Sequence, residues 1–208
     1  MAPDRAEHYF TADPSAPART TEVIVEIGGL QLRLTAGAGV FSAGRLDPGT
    51  SVLLRKGELP GPATEGALLD LGCGYGPIAC VLATVAPRAR VYATDVNSRA
   101  LELTRANAAA LGVAVDAREP DAVPGDLAFT QIWSNPPIRI GKAELHTLLL
   151  RWLPRLRPEG AAWLVVARHL GADSLASWLT EQGYGVLRHA SQQGFRVLKV
   201  TPPAAPAR

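Results

Sequence analysis

Short apolar runs and longer amphipathic segments alternate along this chain of 208 residues. The runs at 67–71 and 90–94 are short and apolar, which is typical of strands buried in a parallel sheet. Each run is followed, after a loop, by a segment with the content of a helix that packs on a sheet, at 78–85 and at 97–111. This alternation predicts an α/β fold.

The remaining pattern adds further elements. The Gly28-Gly29 pair lies between apolar segments at 23–25 and 30–34, which predicts a β-hairpin. Gly112 is expected to end the helix 97–111. Further strands are expected at 113–117, 126–134, 160–166, 185–189 and 195–200, the last two joined by a tight turn at 192–194, with helices at 143–156 and 173–182.

Composition is ordinary for a soluble globular protein, with 47% hydrophobic and 19% charged residues and a net charge of +2. We expect one domain at 20–200, in which 20–60 forms the hairpin and an entry segment. Residues 1–19 are expected to be a flexible leader and 201–208 a disordered tail. The chain shows no signal peptide and no run long enough to span a membrane, so we expect a cytoplasmic protein.

A glycine loop follows the strand at 67–71. Asp70 ends that strand, and Gly72, Gly74 and Gly76 follow at alternate positions. A strand, a glycine-rich turn and a helix form a nucleotide-binding unit, because the backbone must turn sharply and let a ligand lie against it. The dinucleotide fingerprint needs a glycine where this chain has Pro77, so a dinucleotide dehydrogenase is disfavoured.

A second acidic residue supports a nucleoside site. Asp95 ends the strand at 90–94, about twenty residues after the glycines. A carboxylate at that position can accept hydrogen bonds from both hydroxyls of a ribose.

The segment Asn135-Pro136-Pro137 forms a third motif, directly after the strand predicted at 126–134. Two prolines cannot continue a central strand, so the segment should be a rigid loop at the strand's carboxyl end. In an open α/β sheet, ligands bind at that edge. A structural Asn-Pro turn is the alternative interpretation.

These motifs together resemble the class I S-adenosylmethionine (SAM) methyltransferases: D-x-G-x-G-x-G at 70–76, D-V-N at 95–97 and N-P-P-I at 135–138. The segments G-V-F-S at 39–42 and L-D-P-G-T at 46–50 are similar to the entry segment of the "methyltransferase small" family, which includes bacterial 16S and 23S rRNA guanine-N2 methyltransferases. The resemblance covers roughly residues 9–200. It implies a Rossmann-like fold, with a seven-stranded, mainly parallel sheet, an antiparallel last strand and an N-terminal hairpin extension.

The resemblance also implies roles for individual residues. SAM would be held by a set of loop residues: Asp70, Gly72, Cys73, Gly74, Gly76, Asp95, Val96, Asp121, Asn135 and Phe41. Asp116 is the alternative to Asp121 for the contact with adenine, and a core position is the alternative role for Phe41. Catalysis would rest on Asn135, Pro136 and Pro137, because the Asn135 side-chain oxygen and the Pro136 carbonyl would accept the two N–H bonds of an amine.

Substrate contacts are expected from Ile138, Arg139 and Lys142. The family usually has an aromatic residue where this chain has Ile138, which weakens any expectation of stacking on a base. Arg139 and Lys142 could bind an RNA phosphate, or could simply be solvated charges. Cys73 and Cys80 lack the second pair that a zinc site needs, and the histidines are scattered, so we predict no metal site.

We therefore expect a SAM-dependent N-methyltransferase acting on guanine N2 of ribosomal RNA. Its partner would be ribosomal RNA or a ribosomal subunit, and the protein would be a monomer or a weak dimer. One alternative is methylation of a glutamine amide on a translation factor. Another is a non-catalytic SAM-binding partner domain, which the intact glycine loop and Asn135 disfavour.

Overall fold

A computed structural model describes residues 20–37, 44–137 and 141–204. Within these ranges the chain forms the following strands and helices: β1 (Thr20–Ile27), β2 (Leu30–Gly37), α1 (Pro48–Lys56), β3 (Ala67–Leu71), α2 (Pro77–Val85), β4 (Arg90–Thr94), α3 (Ser98–Leu111), β5 (Val115–Arg118), β6 (Phe129–Ser134), α4 (Lys142–Trp152), β7 (Leu156–Ala167), α5 (Ala172–Glu181), β8 (Gly185–Gln192) and β9 (Phe195–Thr201). The leader 1–19 and the end of the tail, 205–208, lie outside the described residues. The part of the chain that the structure describes contains no helix that is both long and apolar enough to cross a membrane.

Seven strands form one sheet in the order β5-β4-β3-β6-β7-β9-β8. Neighbours from β5 to β7 run parallel, whereas β9 is antiparallel to both β7 and β8. The expected mainly parallel sheet with an antiparallel last strand is thus confirmed. The strand order reverses between β3 and β6, and such a switch point is where open α/β sheets bind ligands.

The two faces of the sheet pack into separate cores because successive side chains of a strand point to opposite sides. One face, with Leu68 and Trp133, packs with α1, α2, α3 and the hairpin. The other face, with Leu69 and Ile132, packs with α4 and α5. Helix α2 is buried along almost its whole length, which explains why its sequence is apolar on every side.

Strands β1 and β2 form a separate antiparallel sheet, so the expected hairpin is confirmed. Gly28 and Gly29 have φ angles of +55° and +87°. A two-residue hairpin turn requires such positive angles, and glycine adopts them readily. Alternate residues of both strands, including Val25 and Leu34, are buried against the main domain. The hairpin therefore belongs to the core that surrounds α1, α2 and α3.

Several predicted boundaries were wrong. Helix α4 ends at Trp152 and not at 156, because Pro154 cannot continue an α-helix and Leu156 instead pairs with Phe129 of β6. Strand β7 consequently starts four residues before the predicted 160. Strand β6 starts at Phe129 and not at 126, after a turn in which the Leu127 N–H donates to the Pro124 carbonyl over 3.3 Å.

The ends of three other strands also differ from the predictions. Strand β5 spans Val115–Arg118 and starts two residues after the predicted 113. Strand β8 continues to Gln192, because the turn at 192–194 joins it directly to β9. Strand β9 runs to Thr201, the first residue of the predicted tail.

Candidate active site

The glycine loop curves over the carboxyl ends of β3 and β4. The N–H groups of Gly72 and Cys73 both donate to the Thr94 carbonyl, over 2.9 and 3.0 Å. Gly72, Gly74 and Gly76 have φ angles of +76°, +56° and +86°. All three therefore adopt a conformation that residues with a side chain rarely tolerate. Cys73 is buried inside the loop.

The first and last of these glycines have different surroundings. A Cβ added at Gly76 would lie 2.8 Å from Cγ2 and 2.9 Å from Oγ1 of Thr104, so glycine is needed there for packing against α3. A Cβ added at Gly72 would meet nothing within 4 Å. The open side of the loop at Gly72 thus has room for a ligand to approach the backbone, as a cofactor site requires.

Asp95 is fixed by the loop that it faces. Its Oδ2 accepts from the Gly74 N–H over 2.9 Å, and its Oδ1 accepts from the Asn97 N–H over 3.0 Å. Burial raises the pKa of Asp95, and these backbone hydrogen bonds oppose that shift. Val96, the next residue, is 51% exposed, which is unusual for a large aliphatic side chain in this protein.

Asp70 lies underneath the loop and is fully buried. Its Oδ2 accepts from the Ala79 N–H in α2 over 2.9 Å, while its Oδ1 has no hydrogen-bond partner among the described residues. Burial raises the pKa of Asp70 to about 8, the Ala79 hydrogen bond opposes the shift, and the charge of Asp95 adds to it. The geometry therefore gives Asp70 a contact with α2; its predicted contact with the cofactor stays a prediction.

Two residues of α3 that the sequence analysis did not single out support the loop. Thr104 donates to the Gly74 carbonyl over 3.0 Å. The Asn107 amide donates to the carbonyls of Tyr75 and Thr35, over 2.8 and 2.9 Å, and accepts from the Thr35 N–H over 2.8 Å. In the sequence, the only indication of this role was that Thr104 and Asn107 are polar residues in the otherwise apolar stripe of α3.

The Asn-Pro-Pro loop leaves β6 beside the glycine loop. Ser134, the last residue of β6, donates through its hydroxyl to the Leu71 carbonyl over 2.7 Å and so ties the two strand ends together. Asn135 and Pro137 are half-buried, and Pro136 is buried. The structure therefore brings Asn135, Pro136 and Pro137 to the same edge of the sheet as the glycine loop.

The Asn135 amide is held by the start of α1. Its Nδ2 donates to Asp47 Oδ1 over 2.7 Å and to Thr50 Oγ1 over 3.0 Å. The same Asp47 oxygen caps α1 by accepting from the Thr50 N–H over 2.9 Å. The segment L-D-P-G-T was identified in the sequence as part of the entry segment, but its contact with Asn135 was not predicted, because no local pattern shows which loop lies opposite.

Other predicted site residues have different positions. Phe41, Ile138 and Arg139 lie outside the described residues. Lys142 is the exposed first residue of α4, and it lines a shallow cavity of about 140 Å³ together with His146 and Ser174.

The two candidates for the adenine contact both have basic partners. Asp121 follows β5 in a short 3-10 helix, and its exposed carboxylate pairs with Arg151 at 2.7 Å. Asp116 lies on β5 itself and pairs with Arg118 at 2.6 Å. The choice between Asp121 and Asp116 stays a prediction.

Comparisons with known proteins identify the family. The family model described as "Methyltransferase small domain" matches residues 31–199. The uncharacterised protein YbxB of Bacillus subtilis is 32% identical, over 93% of this chain and 98% of that protein. Ribosomal RNA small subunit methyltransferase C of Pseudomonas putida is 33% identical, over 95% of this chain but 62% of the relative.

Among solved structures, the 16S rRNA N2-methyltransferase of T. thermophilus, in complex with AdoMet and guanosine, superimposes with a TM-score of 0.74 at 25% identity. The match covers 90% of this chain and 52% of that one, so the chain spans about half the length of that enzyme. The glycine loop, Asp95 and the open space at Gly72 fit SAM, the cofactor of this family. The chain belongs to the methyltransferase small domain family of SAM-dependent methyltransferases.

Proposed function

We propose that this protein transfers a methyl group from SAM to an exocyclic amine of ribosomal RNA, with guanine N2 as the target. The observation that carries this proposal is the adjacency of the two loops at the switch point of the sheet. Strands β3 and β6 are direct neighbours, with Asp70 opposite Trp133, and the Ser134 hydroxyl links their carboxyl ends. SAM held by the glycine loop and an amine held by the Asn-Pro-Pro loop would thus lie close together.

On the cofactor side, bound SAM would supply an electrophilic methyl group on its sulfonium. Asp95 would accept from the ribose hydroxyls with the carboxylate that the Gly74 and Asn97 N–H groups already orient. The exposed Val96 side chain would offer an apolar surface for adenine. The loop backbone at Gly72 would allow the cofactor to approach without meeting a side chain.

On the substrate side, the Asn135 side-chain oxygen and the Pro136 carbonyl would accept the two N–H bonds of the amine. Holding both protons would draw the nitrogen lone pair out of conjugation and direct it toward the methyl group. This chemistry depends on positioning and on electrostatics. It needs no strong base, because the proton can leave after methylation.

Support for an RNA substrate comes from the relatives that are named as ribosomal RNA methyltransferases and from the exposed Lys142 at the start of α4. Lys142 would bind a phosphate near the target base. Arg151 and Arg155 already have partners within the chain, because Arg151 pairs with Asp121 and Arg155 donates to the Leu127 carbonyl.

The test is methyl transfer from radiolabelled SAM to naked ribosomal RNA and to isolated subunits that lack methylation. We expect label in N2-methylguanosine, identified by nuclease digestion and mass spectrometry. The Asn135→Ala variant should still bind SAM but transfer at least about 100-fold more slowly. Glu102→Ala, an exposed change on α3, is the control and should match the wild type.

Other products would revise the proposal in defined ways. Label in a different exocyclic amine would retain the chemistry and overturn guanine N2. Label in a translation factor and none in RNA would favour the glutamine-amide alternative. Binding of SAM without transfer to any of these substrates would favour a non-catalytic partner domain.

A further inference from the structure

We propose that Asp47 and Thr50 are positioning residues for the amine site: they fix the Asn135 amide so that its oxygen, and not its nitrogen, is presented to the substrate. This inference deepens the proposed function and rests on it. It assigns a role in substrate choice to α1, a helix that lies outside both signature loops.

The first step concerns the donors of Asn135. A primary amide group has two N–H bonds. Its nitrogen lies 2.7 Å from Asp47 Oδ1 and 3.0 Å from Thr50 Oγ1, so both N–H bonds have protein acceptors. The carbonyl oxygen is the remaining polar atom of the side chain. The side chain is half-buried, so this oxygen is the atom that it can offer to a ligand.

The second step concerns the orientation of the amide. Asp47 Oδ1 already accepts from the Thr50 N–H, so it acts as an acceptor toward α1. A flipped amide would place the Asn135 carbonyl oxygen against that carboxylate oxygen, and two acceptors in contact repel each other. Asp47 thereby selects one of the two orientations that an amide could otherwise adopt.

The third step concerns the rigidity of this support. Asp47 is the N-cap of α1, its carbonyl accepts from the Ser51 N–H over 2.9 Å, and Pro48 fills the first helical position. Thr50 is only 4% exposed. A Cβ at Gly49 would lie 3.0 Å from Asp47 Oδ1 and 3.0 Å from Phe195 Cε1, so glycine lets the cap pack against β9.

The consequence is selection by hydrogen-bond type. An oriented Asn135 oxygen next to the Pro136 carbonyl gives a site with acceptors only. Such a site favours a group with two N–H donors, as in an exocyclic amine, over a carbonyl oxygen or an unprotonated ring nitrogen. The alternative is that the Asp47–Asn135 contact only ties α1 to the sheet, and the experiment must separate the two.

The experiment compares exchanges that keep the helix cap but change the donors and acceptors. Asp47→Asn retains an oxygen for capping α1, yet its amide can also donate, so both orientations of Asn135 become possible. We expect kcat for methyl transfer to fall about 100-fold, with the melting temperature and the SAM dissociation constant nearly unchanged. Thr50→Val should lower kcat about 10-fold, whereas Thr50→Ser, which retains the hydroxyl, should keep kcat close to the wild-type value.

The most discriminating experiment exchanges the side chains of Asp47 and Asn135. Asn135→Asp alone places two carboxylates together and should abolish transfer at neutral pH. In the double variant Asp47→Asn/Asn135→Asp, the new amide at 47 can donate to the new carboxylate at 135, which still presents an oxygen acceptor. We expect kcat of the double variant to exceed that of Asn135→Asp at least about 10-fold.

Three results would overturn the proposal. Unchanged kcat in Asp47→Asn would show that orientation does not matter. A loss explained by weaker SAM binding would make Asp47 a cofactor residue. A double variant no more active than Asn135→Asp would make the contact purely structural.

A readout without activity separates this proposal from the proposed function. The side-chain NH₂ signals of Asn135 in a ¹⁵N-labelled protein, assigned by their loss in Asn135→Ala, should be protected from solvent exchange in the wild type. Protection should be lost in Asp47→Ala. If the wild type methylates no RNA but this protection is present, the proposed substrate fails and the orientation of Asn135 stands; if the signals are unprotected, the positioning role fails.

Discussion

The glycine loop and the Asn-Pro-Pro loop leave neighbouring strands, but different parts of the chain hold them. Hydrogen bonds to the glycine loop come from Thr94 and Asp95 at the end of the next strand and from Thr104 and Asn107 of α3. The separation in sequence is 21 residues for Gly74 and Asp95 and 32 residues for Tyr75 and Asn107. Asn135 is held by Asp47 and Thr50, which precede it by 88 and 85 residues. The cofactor side is thus largely a local structure, whereas the amine side is assembled from distant segments.

The largest effect should come from a change inside the glycine loop. Gly76→Ala would combine a positive φ of +86° with a Cβ placed 2.8 Å from Thr104. We expect this variant to lower the free energy of unfolding by about 3 kcal/mol, because backbone strain and overpacking add. Gly72→Ala carries only the backbone cost, about 1 kcal/mol. It should nevertheless weaken SAM binding, because its Cβ enters the open side of the loop.

Urea unfolding and SAM calorimetry on both variants measure this contrast. Equal losses of stability would show that the loop does not depend on packing against α3. Undiminished SAM binding by Gly72→Ala would place the cofactor elsewhere.

Asp95→Ala should have the next largest effect. It removes the acceptor of two backbone N–H groups as well as the predicted ribose contact. The SAM dissociation constant should therefore rise at least about 100-fold. Isothermal titration measures it. Asp95→Asn keeps one oxygen acceptor, so its SAM dissociation constant should lie between those of the wild type and Asp95→Ala. A normal SAM affinity in Asp95→Ala would contradict the assignment of the cofactor site.

A third change tests how local the glycine loop is. Asn107→Leu removes a side chain that bonds both the loop at Tyr75 and the hairpin at Thr35, so the buried Tyr75 carbonyl and the Thr35 backbone lose this partner. We expect the free energy of unfolding to fall by about 2 kcal/mol. Hydrogen exchange at the Thr35 amide should accelerate more than exchange in β3. Uniform acceleration would mean that Asn107 stabilises the whole domain instead of coupling the two regions.

The smallest effect, when expressed per pH unit, is a pH dependence of stability. Burial raises the pKa of Asp70 to about 8. The folded protein therefore retains a proton that the unfolded chain releases near a pH of about 4. The contribution of Asp70 to stability is present at low pH and is lost as the pH rises from about 4 to about 8. The slope from this group is at most about 1.4 kcal/mol per pH unit.

Asp70→Asn should flatten that dependence, because its neutral amide does not titrate. Urea unfolding of the wild type and the variant at pH 5 and pH 8 compares them directly. If the free energy of unfolding changes with pH by the same amount in the two proteins, Asp70 does not contribute to the pH dependence of stability.

The difference between the two loops also explains what the sequence could predict. Strand β4 and the turn at Gly28-Gly29 were predicted correctly, since their signals are contiguous. The supports of Asp95 and the glycines are also close in sequence. The pairing of Asp47 with Asn135 could not be predicted, because it depends on how α1 packs against the sheet and not on any spacing along the chain.

Element boundaries failed where tertiary pairing overrode local preference. The residues 153–156 continue the apolar pattern of α4, yet Leu156 pairs with Phe129 in the sheet. In the same way, Asn107 looks like an interruption in the apolar stripe of α3, and only the packed hairpin and the glycine loop supply its partners. The hydrophobic pattern indicates which face of an element is buried, but it does not indicate what lies opposite that face.

The 88-residue separation between Asn135 and Asp47 has a consequence for the order of folding. Closing that loop costs about 1 kcal/mol more in conformational entropy than closing the shorter loop between Gly74 and Asp95. In a chain leaving the ribosome, Gly74 and Asp95 are both present before residue 135 has been synthesised. We therefore expect the nascent domain to gain its nucleoside site first and its amine site last, so that a partly folded chain binds cofactor without the means to use it.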